Sequence, residues 1–295
     1  MISHRWLVCS LLLILTTTAR AAADERLAVC VSILPQQYFV QQIGGDHVNV
    51  QVMVLPGANP ATYEPRPRQM ADLSRARLYF AIGVPFEAVW LDKIVAANPA
   101  MQVIHTERGI HKRSMAEHRH HDGAGDDRDG HPQGIPDPHI WLSPPLVKQQ
   151  AGIILAALKA ADPARTADYE RNGQLFFAAI DRLDRDLMKI FADRQGAQFM
   201  VFHPSWGYFA EAYGLEQVPI EFEGKDPKPA QLQGLIEYAR KHQISVIFAQ
   251  PQFSRRSAAI VAGEIGGRVV VADPLALNWL DNLRAVADQF AAALR

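Results

Sequence analysis

The chain has only two cysteines in 295 residues, and they cannot pair in an exported protein. Cys9 sits inside an apolar N-terminal run and Cys30 inside the first apolar strand segment. One remaining thiol forms no internal disulfide, and Cys30 reads as a small buried hydrophobe. Long hydrophobic runs are also missing. Trp6 to Leu15 is the nearest approach, too short for a permanent membrane span, and no later stretch exceeds it. Excess charge of either sign is lacking: the formal net charge is −1, which implies no basic surface for nucleic acid. A His-Glu-x-x-His helix and a clustered pair of carboxylates are absent as well, which argues against a zinc hydrolase.

The composition that remains, 48% hydrophobic and 21% charged, is that of a globular protein with ample core material. His4 and Arg5 precede the apolar run, and Ala19-Arg20-Ala21 or Ala21-Ala22-Ala23 supplies a small-residue cleavage pattern. That order reads as a secretory signal peptide over residues 1–23. Its removal takes away two arginines and no acids, so the charge moves from −1 to −1 − 2 = −3. A lipid anchor at Cys30 is disfavoured by bulky Val29 and by the charges separating it from the apolar run. The expected product is a free, soluble, exported protein in the periplasm, with no membrane span of its own.

Apolar, β-branched segments alternate with helical ones along both halves. Leu27 to Leu34, Val48 to Leu55, Leu78 to Ile82 and Gln102 to His105 read as strands, separated by helices over Gln36 to Ile43, Arg68 to Ser74 and Phe86 to Ala97. The second half repeats the alternation, with strands at Phe199 to Phe202, Val218 to Phe222, Ile244 to Ala249 and Val269 to Ala272. Such spacing predicts parallel sheets flanked by helices. Between the halves, Ser143-Pro144-Pro145 opens one helix and Asp162-Pro163 a longer one running to about Arg194. Leu175, Phe176, Ala179, Leu183, Leu187 and Ile190 keep a helical period along it, and Asn172-Gly173 is a local weakness. The fold class is therefore α/β, two lobes joined by one long rigid helix. Residues 24–143 form the N-terminal lobe, 144–196 the helical connector and 197–295 the C-terminal lobe.

The chemistry concentrates around Asp137-Pro138-His139-Ile140-Trp141-Leu142-Ser143-Pro144. Before it lies a tract over residues 105–134 containing His105, His111, His118, His120, His121 and His131, without apolar periodicity beyond Arg108. That composition predicts a mobile, solvated loop, and its imidazoles make it a plausible low-affinity metal collector. His203 and Asp273 each follow an apolar strand, where ligands bind in open α/β sheets. Two imidazoles and a carboxylate form a reasonable ligand set for a borderline divalent cation such as zinc. Taken singly, His203 before Pro204 also suits a strand cap and Asp273 before Pro274 a turn. His47 and His242 read as surface residues, and Trp206, Tyr208, Phe209 and Tyr213 as core.

These segments together resemble the cluster A-I metal-binding receptors of ABC importers, with the zinc-specific branch closest. The resemblance rests on Leu55-Pro56-Gly57-Ala58-Asn59-Pro60 with Tyr63-Glu64-Pro65, the Asp137 to Pro144 stretch, and His203 with Gly207-Tyr208-Phe209. Glu223-Gly224-Lys225-Asp226-Pro227 with Leu232, and Asp273-Pro274-Leu275, complete it. It covers essentially the whole mature chain. It implies a monomeric receptor that holds Zn2+ between two lobes, passes it to an inner-membrane permease with its ATPase, and performs no chemical turnover. The family places its first metal ligand, a histidine, where this chain has Ala61. The resemblance thus leaves His139, His203 and Asp273, with the fourth position open to water, Glu64 or a loop imidazole such as His131. Two other readings stand beside this one. The cleft vacated at Ala61 could take manganese, iron or a metal chelate. A zinc hydrolase would use Glu64 or Glu223 as general base.

Overall fold

The computed structural model describes residues 26–115, 136–222 and 224–294. The expected signal peptide, most of the histidine-rich tract (His131 included) and Glu223 lie outside the described residues.

Two four-stranded sheets form the frame, and every strand pair in them is parallel. The first contains β1 (Leu27–Val31), β2 (Val48–Val52), β3 (Leu78–Ala81) and β4 (Gln102–His105) in the order β2-β1-β3-β4. The second contains β5 (Gln198–Val201), β6 (Glu216–Pro219), β7 (Val246–Ala249) and β8 (Arg268–Val271) in the equivalent order β6-β5-β7-β8. Parallel neighbours need a crossover. In the first sheet these are α1 (Leu34–Gly44), α2 (Pro67–Leu73) and α3 (Pro85–Ala97). Proline in the first turn of each fits a helix start, where its missing N–H has no partner to lose.

Helices α4 (Pro144–Ala161) and α5 (Thr166–Phe191) join the two sheets in sequence. A short 3-10 turn at Pro163–Arg165 precedes α5, so the long helix begins later than its Asp-Pro signal suggested. Its 26 residues run about 39 Å without interruption at Gly173. A methyl group there would lie 3.0 Å from Leu155 Cδ2, so glycine lets α4 pack closely. The buried stripe is Tyr169, Gly173, Phe176, Ile180, Leu183, Leu187 and Phe191. Leu175, expected on that stripe, is 67% exposed: the buried face is turned by one residue toward Tyr169 and Gly173.

In the second half the crossovers are α6 (Gly207–Tyr213), α7 (Pro229–Lys241) and α8 (Arg256–Glu264), and α9 (Trp279–Ala293) returns to pack on α5. The aromatic residues Trp206, Tyr208, Phe209 and Tyr213 are buried, as their pattern predicted. One strand is displaced from its expected position at Val218 to Phe222. β6 ends at Pro219, and the Ile220 amide turns to the Val201 and Phe202 carbonyls at 2.8 and 3.2 Å. Glu221 is thereby carried out of the sheet.

Strand alternation assigns the core. Phe199, Val201 and Phe248 face the connector and join a cluster that continues through α5 and α9 into the first sheet. Met200, Phe202, Ile247 and Ala249 face the other way and form a second cluster under α7 and α8. The two lobes thus share one apolar core instead of meeting across a thin linker. Two indoles bind that junction: Trp141 Nε1–H donates to the Pro274 carbonyl at 2.7 Å, and Trp279 Nε1–H donates to the Trp141 carbonyl at 2.6 Å. Trp279 also meets Phe39 of α1 edge to face, with ring centres 5.2 Å apart.

Replacing Trp141 with Phe removes a buried donor and leaves the Pro274 carbonyl without its partner. The expected loss is about 1–3 kcal/mol of unfolding free energy, measured by urea denaturation of the metal-free protein. An unchanged urea midpoint would contradict this role for the indole.

Candidate metal site

His139 stands between Pro138 and a 3-10 turn at Ile140–Leu142, and the apolar side chains of that turn anchor the segment in the core. Asp137 folds back over it. Its Oδ1 accepts the His139 amide at 3.0 Å and His139 Nδ1–H at 2.7 Å. His203 lies two residues beyond β5. Its main chain is clamped by fully buried Gln250, whose Oε1 accepts the His203 amide at 3.1 Å and whose Nε2–H donates to the His203 carbonyl at 2.7 Å. The ring stacks on Phe253 at 4.6 Å, and Nδ1–H donates to Glu221 Oε1 at 2.7 Å.

The two imidazoles meet. Their ring centres are 5.2 Å apart and inclined at 69°. A carboxylate can only accept, so each Nδ1 carries a proton, and Nε2 is the ring nitrogen left to meet an ion. The side chains of His139 and His203 are only 10% and 17% exposed. Burial holds the His139 pKa below its ordinary value of 6.5, against an upward pull from Asp137. A neutral imidazole with its Nδ1 fixed by a carboxylate is the usual state of a histidine that gives Nε2 to a metal.

The other expected residues stand differently. Asp273, two residues beyond β8, is partly buried. Its Oδ1 accepts the Leu275 amide at 2.9 Å and Gln252 Nε2–H at 2.8 Å, which leaves Oδ2 for a cation. Its carbonyl accepts from Asn282 Nδ2–H at 2.8 Å. Glu64 is exposed on the extended segment between β2 and α2, three residues short of the helix. The turn of helix that would have swung it inward has not begun there. Ala61 lies exposed in the turn before it, its amide donating to Asn59 Oδ1 at 2.9 Å. Among the described residues no three His, Cys, Asp or Glu side chains converge into a preformed cage. The structure therefore brings His139 and His203 together and leaves Asp273 and Glu64 outside a tight cluster with them.

Sequence reasoning missed the residues that orient these groups. Asp137 was legible in principle, since a carboxylate two residues before a histidine reaches both its amide and its Nδ1. Glu221 was not, because its position depends on the early end of β6. Of the two histidines read as surface groups, His242 is exposed, while His47 pairs with Asp168 of α5 at 3.0 Å.

The chain matches known proteins over nearly its whole length. A model of the family described as "Zinc-uptake complex component A periplasmic" (ZnuA) covers residues 29–293. The high-affinity zinc uptake system protein ZnuA of Bacillus subtilis (strain 168) is 29% identical over 275 residues, spanning 90% of this chain and 83% of that protein. A crystal structure of ZnuA superposes with a TM-score of 0.84 at 43% identity, covering 92% of this chain and all of that one. A zinc-bound deletion mutant of ZnuA gives 0.83 at 42% identity, covering 92% and 98%. With two equivalent parallel sheets, a connector helix and this extent of match, the chain belongs to the periplasmic zinc-uptake component A family.

Proposed function

We propose that this protein is the periplasmic receptor of an ABC importer and that it captures Zn2+ between its lobes. The observation that carries the reading is the adjoining pair of imidazoles, one buried and one partly buried, each locked through Nδ1 by its own carboxylate so that Nε2 is the nitrogen left for an ion. One stands on the segment that enters the connector and the other at the carboxyl end of a strand in the second sheet. Imidazole suits zinc and other late first-row metals, whereas a manganese site would favour carboxylate and water. His139, His203 and Asp273 are the proposed ligands. Asp273 joins the pair through Oδ2 when the ion arrives, and its neighbour Pro274 is already bonded to Trp141, two residues from His139. Water or Glu64 takes the fourth place left open at Ala61.

The family is a transport component, and the proposed partners are an inner-membrane permease and its ATPase. No helix among the described residues is long and apolar enough to cross a membrane. Export by the N-terminal signal peptide, release as a free monomer and the absence of catalytic turnover complete the proposal.

Equilibrium dialysis against zinc should retain one ion per chain. H139A and H203A should each lose tight binding, and E64Q should weaken it far less. At zinc concentrations about 100 times the dissociation constant, the wild-type protein should gain about 2.7 kcal/mol of stability. Retention of stoichiometric zinc by H139A would refute the ligand assignment.

A pH dependence follows from His139. Its folded pKa lies below 6.5, so as pH falls below 6.5 the unfolded chain takes up the proton before the folded one does. The metal-free protein should therefore lose stability as pH falls from 6.5 toward the lower folded value. H139Q should flatten that part of the urea midpoint against pH curve. An equal slope in both proteins would contradict a neutral buried His139.

A further inference from the structure

Arg113 stands where the segment from β4 meets the segment leading to His139. Asp137 N–H donates to the Arg113 carbonyl at 2.8 Å, and Ser114 pairs with Pro136 in an antiparallel bridge. This two-stranded stem rests on the amino end of α6, a helix of the second lobe. Arg113 N–H donates to the Tyr208 hydroxyl at 3.0 Å, and that hydroxyl donates to the Asp137 carbonyl at 3.0 Å. The guanidinium Nη1–H donates to the Gly207 carbonyl, with Glu211 Oε2 3.3 Å away.

One further contact is the informative one. Arg113 Nε faces Asp137 Oδ2 at 3.9 Å, and both atoms are buried without a hydrogen-bond partner among the described residues. Asp137 itself is 1% exposed, and its other oxygen is fully used by His139. A buried carboxylate needs a compensating charge, and Arg113 is the cation paired with it. Gly207 makes room for that arrangement. A methyl group there would lie 3.0 Å from Arg113 Cζ and 3.1 Å from Asp137 Oδ2, tight against both partners at once. The helix therefore begins with a residue that lets the ion pair sit on its end.

We infer that Arg113 is a positioning residue for metal capture: it holds Asp137 against α6, and through Asp137 it sets His139. The inference rests on His139 being a metal ligand. It makes the stem an element that ties one imidazole of the pair to the lobe carrying the other. Loss of the guanidinium charge frees Asp137 to shift, and His139 Nε2 loses its fixed direction.

The test uses the full chain and zinc alone, with affinity read by competition against a chromophoric chelator and geometry by the visible d–d spectrum of the Co2+-loaded protein. R113M should weaken zinc about 10–100-fold, the usual effect of removing a group that orients a metal ligand, and should change the Co2+ spectrum. R113K, which keeps the cation, should recover most of the affinity. G207A, which crowds the pair while leaving both charges in place, should weaken zinc several-fold. A folded R113M with zinc affinity within twofold of wild type and an unchanged Co2+ spectrum would overturn the inference. Should R113M fail to fold, wild-type affinity in G207A would overturn it instead. H139A separates the two levels: if it too keeps zinc, the ligand reading itself fails, whereas loss in H139A with retention in R113M removes only the role of Arg113.

Discussion

Two indole N–H groups hold the molecule's halves in a fixed relation. Trp141 reaches the carbonyl beside Asp273, and Trp279 reaches the carbonyl of Trp141, so the chain near one proposed ligand is bonded to the chain near another. Both indoles are buried, and breaking either bond strands a carbonyl in an apolar core. Because the core itself runs from the first sheet through α5 and α9 into the second, the lobes cannot slide independently without exposing it. A site between them is then defined to the accuracy of packed side chains.

Within this frame the site is built in pairs. Asp137 fixes His139 and Glu221 fixes His203, each at 2.7 Å from Nδ1, while Gln250 clamps the backbone under His203 and Gln252 holds Asp273. The carboxylates fix which nitrogen of each ring is engaged, since each accepts from Nδ1. The result is two Nε2 atoms of fixed direction in a site with little solvent access. Their neighbours carry negative charge, which offsets the charge of an incoming cation.

Much of this was legible in the chain. The strands announce themselves because buried parallel strands are nearly continuous apolar runs, and Ser143-Pro144-Pro145 marked the start of α4. His203 and Asp273 could be singled out because each follows an apolar strand and precedes a proline, and His139 because it stands where the histidine-rich tract meets an apolar segment. Less was legible where tertiary packing decided. Leu175 fits the helical period of α5 as well as Phe176 does, and only the angle at which α4 packs decides which one is buried. Glu221 looked like part of a strand, and only the bend after Pro219 brings it to His203. Glu64 could be named as a fourth ligand, but the helix starts only at Pro67 and leaves Glu64 exposed on the segment before it.

Crystals of the zinc-loaded protein, with anomalous diffraction recorded on both sides of the zinc absorption edge, test the central claim most directly. The expected result is one zinc peak with His139 Nε2 and His203 Nε2 about 2.0–2.1 Å away and an Asp273 oxygen in the same shell. A peak bound elsewhere, or one coordinated through the Nδ1 atoms now held by Asp137 and Glu221, would contradict it.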